Sequence, residues 1–239
     1  MPLLSHETVE HWYCAANELL ISMASIPKAA LVHLPIYDAQ ALQAELDCFH
    51  TWFFQLLGYQ ANESVQTMLK GVYQRLITSA LEQPQVFVHR DFHSRNVMVL
   101  SDQTLATIDF QDARIGPLTY DAVSLFKDCY ASWPLEQVIS WVLRFKADCD
   151  QVLPHHMVSD TVFIQWFNRM GLQRHLKVLG VFARLSLRDH KHGYLNDLPR
   201  VWQYVEQASK HDDALAEFTD WLQTTLKPWV IEQPWWPLS

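Results

Sequence analysis

The chain of 239 residues reads as an α+β protein, mostly helical, with one small β insert. Three observations lead there. Only 6 glycines and 11 prolines punctuate the sequence, too few for a succession of short strands and tight turns. Apolar residues recur at helical spacing over most of the length. Between Val86 and Ile108 the pattern switches to short β-prone runs separated by polar turns.

The elements follow in order. Val9, Trp12, Ala16, Leu19 and Leu20 predict a helix over residues 7–24. Ala41, Leu42, Leu46, Phe49, Phe53 and Leu56 form one face of a second helix over 38–57, with Asp38 placed to cap its start. Val65, Leu69, Val72, Leu76 and Ile77 predict a third over 65–81. The β insert then supplies runs at 86–88, 97–100 and 105–108. Helical spacing returns at Leu118, Ala122, Leu125, Phe126 and Cys129, and continues through 135–145, 162–170, 172–187, 200–208 and 213–226. There is no internal repeat and no low-complexity linker, so one lobe over 1–239 is the economical reading.

Bulk composition narrows the function classes. A hydrophobic share of 49% supplies ample core material. A formal charge of −8 argues against duplex nucleic acid, whose phosphates call for a basic face. No signal-peptide pattern and no apolar run long enough to span a bilayer is present, so no membrane partner is expected and the location expected is cytoplasmic. Cys14, Cys48, Cys129 and Cys149 lack paired metal spacing and read as reduced thiols. Among the 12 histidines no HExxH occurs, and the doublet His155–His156 reads as surface polarity more than as a metal site.

The chemistry concentrates in one stretch, VFVHRDFHSRNVMVLSDQTLATIDFQDARIGPLTYD, from Val86 to Asp121. It contains His-x-Asp-x-x-x-x-Asn, then an apolar run ending in Ile108-Asp109-Phe110. Phosphoryl transfer uses this set: an Asp takes the proton of the attacking hydroxyl, while an Asn and a second Asp hold magnesium beside the phosphates of ATP. Asp91 is the candidate base, and Asn96 and Asp109 are the candidate metal ligands. Two protein oxygen donors suffice for Mg2+ when phosphate oxygens and water complete the shell. Arg90 and Arg95 bracket the loop, placed to neutralise phosphate or to pair with Asp109 or Asp112. His89 is expected to orient the loop by hydrogen bonding, since Asp91 already fills the role of base. Asp121, in a first helical turn, suits the helix dipole and is placed to accept hydrogen bonds from the loop, a structural role preferred to direct catalysis.

The path from Asp109 to Asp121 decides the acceptor class. A protein kinase needs a long activation segment ending in Ala-Pro-Glu. Here Gly116-Pro117-Leu118-Thr119-Tyr120-Asp121 follows at once and is expected already to start a helix. That leaves no peptide platform, and a small-molecule acceptor follows.

With these residues in hand, the chain resembles the aminoglycoside phosphotransferase and choline kinase superfamily. More narrowly it is similar to the bacterial anomeric kinases of N-acetylmuramate and N-acetylglucosamine, which serve cell-wall recycling. The narrow likeness rests on HRDFHSRNVM, on IDFQDARIGPLTYDAVSLFKDCY and on GLQRHLKVLGVFARLSLRDHKHGYLNDLPRVWQYV. It implies a protein-kinase-like C-terminal lobe, with the catalytic and metal-binding β insert at 86–116 and a helical, substrate-side region at 117–239. It implies ATP as co-substrate, a sugar as partner, and Asp91 as the base toward the anomeric hydroxyl. Gln111 and Asp112 then face the acceptor. Arg174, with Lys177, Arg184 and Arg188, would form a basic stripe able to meet a sugar carboxylate. A solvated helix face opposite Leu172, Leu176, Leu179 and Ala183 is the plainer reading of that stripe.

Family members also carry a β-rich N-terminal nucleotide lobe, and this lobe is expected to be absent here. Before the catalytic loop the only glycines are Gly58 and Gly71, and the only lysines are Lys28 and Lys70. Self-association through an apolar surface near the β insert is therefore expected. Two alternatives stay open at this level: a chain that binds without turning over, and a kinase for an aminoglycoside, choline or homoserine. The Trp-rich tail (Trp229, Trp235, Trp236) is expected to be pinned to the protein surface more than to stack on a sugar.

Overall fold

A computed structural model describes residues 4–237. Its elements are α1 (Val9–Ala24), α2 (Ala39–Cys48), a π-helical turn (Phe49–Phe53), α3 (Phe54–Leu57), α4 (Glu63–Leu81), β1 (Gln85–Val88), β2 (Val97–Val99), β3 (Leu105–Thr107) and β4 (Arg114–Pro117). There follow α5 (Tyr120–Phe126), α6 (Leu135–Val152), α7 (Asp160–Leu187), α8 (Leu198–Lys210), α9 (Ala216–Trp221), a second π-helical turn (Leu222–Leu226) and α10 (Lys227–Ile231). The mostly helical α+β class is the one the sequence predicts. The chain forms two units, one from Met1–Asp38 and Ala80–Phe167, the other from Ala39–Ser79 and Asn168–Ser239.

In the first unit, α1 packs against α5, α6 and β1. The reason is an aromatic core. Tyr13 lies 4.5 Å from Trp141 and 6.1 Å from Phe126, centre to centre, and Phe126 also meets Phe145 and Phe167. Each such side chain buries a large apolar area, and the tilted and edge-on geometries suit the ring quadrupoles. The polar ends find partners: the Tyr13 hydroxyl donates to the Leu125 carbonyl, and the Trp141 indole donates to Glu10. Against this core sit two antiparallel pairs, β1 with β4 and β2 with β3. Val86 and Val88 bury one face of β1, and Val86 pairs with Gly116. A Cβ on Gly116 would press on the Tyr37 ring at 3.1 Å, so glycine eases the close approach of this strand to it. Strand β4 was not expected, and residues 116–119 precede a helix that begins only at Tyr120.

The second unit is helical. Gly58, at φ 71°, ends α3 in a left-handed cap, with Tyr59 N–H donating to the Phe54 carbonyl. The expected helix over 38–57 is interrupted by the π-helical turn, from which Phe49 and Phe53 stack on each other fully buried. Helix α7 reaches the same place. A Cβ on Gly180 would collide with the Cys48 carbonyl, so the absence of a side chain is what permits the contact. Sequence spacing splits α7 at Gly171, but the helix runs through. The residues on either side, Met170 and Leu172, are both 1% exposed, and their burial outweighs the roughly 1 kcal/mol helix cost of a glycine. The tail is pinned, with Trp235 beside Phe53 and Trp229 edge-on to Tyr59.

Candidate active site

Strand β1 delivers its last residue, Val88, to the edge of the first unit, and the loop beginning at His89 is held there by a buried carboxylate. Asp121 is 4% exposed in the first turn of α5. It accepts the backbone N–H of His89 at 2.6 Å and that of Arg90 at 3.0 Å. Pointing two successive amides at one side chain demands a sharp reversal, and Arg90 supplies it with φ 75°. A left-handed, non-glycine residue costs about 1–2 kcal/mol, which the two charge-assisted bonds offset.

Past that reversal, Asp91 emerges half-buried. Its carbonyl accepts from His93 N–H at 3.0 Å and from the Asn96 side-chain amide at 3.0 Å. Phe92, fully buried, anchors the loop between them. A second buried carboxylate holds the far side: Asp128 accepts Ser94 N–H and Tyr130 N–H, each at 2.9 Å. The loop connects onward through Ile108 N–H, which donates to the Asn96 carbonyl at 3.1 Å and fixes the residue preceding Asp109. Asp109 itself is exposed at φ 71°, just after β3, and accepts from the Gln111 amide at 3.1 Å. Asp91, Asn96 and Asp109 thus belong to one hydrogen-bonded frame. Met98, Leu100, Ile108 and Phe110 are exposed on and beside the β2–β3 hairpin.

These residues fit a magnesium ion shared with phosphate. The Asn96 amide nitrogen is committed to the Asp91 carbonyl, which leaves its oxygen as the candidate ligand atom. Asp109 adds a carboxylate, and one or two protein oxygens with phosphate and water make an ordinary magnesium shell. Among the described residues no group of three His, Cys, Asp or Glu could hold a metal by itself, His155 and His156 included. No helix among them is long and apolar enough to cross a membrane.

The other expected residues fall as follows. His89 orients the loop through its backbone N–H and not through its ring, which forms no well-aligned hydrogen bond. Burial pulls its pKa down, against Asp91 and the facing carbonyls of His89 and Ile108, which favour the charged form. Arg90 reaches the Asp112 carbonyl at 3.4 Å and lies 5.4 Å from the Tyr37 ring centre. Arg95 stacks 3.5 Å over Tyr130 and not on Asp109 or Asp112. Gln111 and Asp112 are exposed beside Asp109. Arg174 lies in the second unit and is 4% exposed. Lys177 pairs with Glu45 at 2.8 Å, so the α7 stripe is not a continuous open basic face.

Three supports were not foreseen. Gln83 accepts from both the N–H and the hydroxyl of Thr119, fixing the approach to α5. Asp128 staples the loop. Lys127, beside it in sequence, is 3% exposed with its ammonium 5.4 Å from the Phe167 ring centre, and burial brings its pKa down to about 8. The available signal was a Lys-Asp pair inside the apolar stretch VSLFKDCY, since buried charges need partners.

A family model described as "Phosphotransferase enzyme family" matches residues 2–152, which include the whole Asp91 loop and Asp109. Proteins described as N-acetylmuramate/N-acetylglucosamine kinase are similar to this chain. That of Pseudomonas aeruginosa is 40% identical over 210 residues, 87% of this chain and 61% of the relative. That of Pseudomonas putida is 36% identical over 219 residues, 91% of this chain and 63% of the relative. That of Neisseria meningitidis is 38% identical over 185 residues, 77% of this chain and 55% of the relative. The chain spans about three fifths of the length of these curated relatives.

Proposed function

The chain belongs to the phosphotransferase enzyme family, and from that premise we propose that it transfers the γ-phosphoryl group of ATP to a hydroxyl of an amino sugar. The acceptor hydroxyl in this reading is the anomeric one of N-acetylmuramate or N-acetylglucosamine. The observation that carries it is the hydrogen-bonded frame joining Asp121, the Asp91 loop, Asn96 and Ile108–Asp109. The relatives' names supply the acceptor.

Each residue then has a physical task. Asp91 accepts the proton as the sugar oxygen attacks phosphorus; the anomeric hydroxyl is the most acidic on the ring and suits a carboxylate base. The Asn96 oxygen and the Asp109 carboxylate would hold magnesium, which when bound would supply positive charge beside the transferring phosphoryl oxygens. Gln111 restrains one oxygen of Asp109 and so orients the other. Asp121 and Asp128 fix the loop, because transfer depends on positioning more than on covalent chemistry. His89, with its depressed pKa, stays neutral near pH 7 and adds no competing charge beside Asp91.

A panel of acceptors tests this reading. With Mg-ATP, release of ADP is expected with N-acetylmuramate or N-acetylglucosamine. Release that instead depends on an aminoglycoside, choline or homoserine reassigns the acceptor, and release with none of them contradicts the proposal.

A further inference from the structure

A cleft beside the catalytic loop, within the same unit, is not used by the steps above. Its volume is about 450 Å³, and Ser94, Arg95, Tyr130, Ser132, Trp133 and His6 line it. Arg95 is exposed, yet its guanidinium is fixed 3.5 Å over the Tyr130 ring. A guanidinium stacked through its face keeps its N–H edge free to grip a carboxylate as a fork. Arg95 pairs with no carboxylate among the described residues. Asp128, two residues before Tyr130, already accepts two backbone N–H groups.

The walls are set in advance. Tyr130 is held by its N–H to Asp128 and by its edge-on contact with His93 at 5.2 Å. Trp133 donates its indole N–H to the Tyr13 hydroxyl at 3.0 Å and meets His6 edge-on. A cation held on a fixed aromatic ring costs little further ordering when an anion arrives.

We propose that this cleft binds the carboxylate of the acceptor on Arg95, and that Arg95 distinguishes N-acetylmuramate from N-acetylglucosamine. The proposal rests on the amino-sugar reading above. The two sugars differ by one group, a lactyl ether on O3 that ends in a carboxylate. C3 is two ring carbons from the anomeric carbon, and Arg95 is four residues from Asp91 along a loop that folds back through the Asn96-to-Asp91 hydrogen bond. A sugar presenting its anomeric hydroxyl to Asp91 therefore carries its carboxylate to one side, and Arg95 meets it there.

Isothermal titration of the chain with N-acetylmuramate, its methyl ester and N-acetylglucosamine tests this without need of turnover. Arg95→Gln is expected to weaken N-acetylmuramate binding on the order of 10- to 100-fold. The methyl ester should bind the unaltered chain as weakly as the free acid binds the variant. N-acetylglucosamine affinity should change by less than about twofold. Equal weakening of both sugars by Arg95→Gln, no weakening of either, or an ester that binds as tightly as the acid overturns the proposal alone. An unaltered chain that binds neither sugar overturns the amino-sugar reading and this inference with it.

Discussion

Replacing Asp121 by Asn keeps the size of the side chain but removes its charge and one of its acceptor oxygens. Two backbone donors, His89 N–H at 2.6 Å and Arg90 N–H at 3.0 Å, then face one oxygen and one NH2 group at a site 4% exposed. A hydrogen bond to a charged group contributes about 1.5–3 kcal/mol, and a buried donor left unmet costs about 1–3 kcal/mol. The expected loss is therefore about 2–4 kcal/mol, a large fraction of the roughly 5–15 kcal/mol that holds a domain folded. It falls on the loop first, because Arg90 keeps its left-handed φ of 75° only while both amides are engaged. Urea unfolding measures the total, and hydrogen exchange at the His89 and Arg90 amides measures the local part. Both amides should lose protection in Asp121→Asn ahead of the β1 amides. A variant that loses under about 1 kcal/mol and keeps both amides protected would refute the view that this carboxylate sets the loop.

His89 gives a pH dependence of definite sign. Its folded pKa is depressed by burial, so below the ordinary value of about 6.5 the unfolded chain binds a proton that the folded chain resists. The contribution is fully present above about pH 6.5 and is lost as pH falls toward the depressed folded value. In urea unfolding between pH 7.5 and 5, His89→Gln should show a shallower loss than the unaltered chain, and equal slopes would rule out this origin. Two glycines in helices should respond oppositely to alanine. Gly180→Ala forces a methyl into the Cys48 carbonyl and should destabilise by about 1–3 kcal/mol or more. Gly71→Ala meets open space and should stabilise by about 0.5–1 kcal/mol. Thermal melts of the two variants check the pair.

Much of the site is legible in the sequence because its parts are local. HRDFHSRN and IDF place the candidate base and candidate metal ligands a few residues from short strands, and the β-prone run at 86–88 marks β1 directly. The long helices are legible for the same reason: Val9, Trp12 and Ala16, or Leu172, Leu176 and Leu179, repeat at the helical period. What escapes is decided across the chain. Strand β4 carries Gly116 and Pro117, both poor strand formers, and exists because β1 supplies its partners and Tyr37 needs the space that glycine leaves. The π-helical turn at Phe49–Phe53 has no periodic signature and coincides with the close approach of Gly180 to Cys48. Asp128 looks like any acid after a helix until the Ser94 and Tyr130 amides are seen to point at it. His89 shows the converse: its position is readable, but its backbone and not its ring does the orienting.

Phosphorus NMR of the product, with the unaltered chain and Asp91→Asn compared at equal folded concentration, tests the central claim most directly. Mg-ATP and N-acetylglucosamine or N-acetylmuramate should yield a sugar 1-phosphate resonance, and its rate of appearance should fall by about 10²–10⁴ in Asp91→Asn. A resonance that grows equally fast without the Asp91 carboxylate, or none from the unaltered chain, would contradict the account.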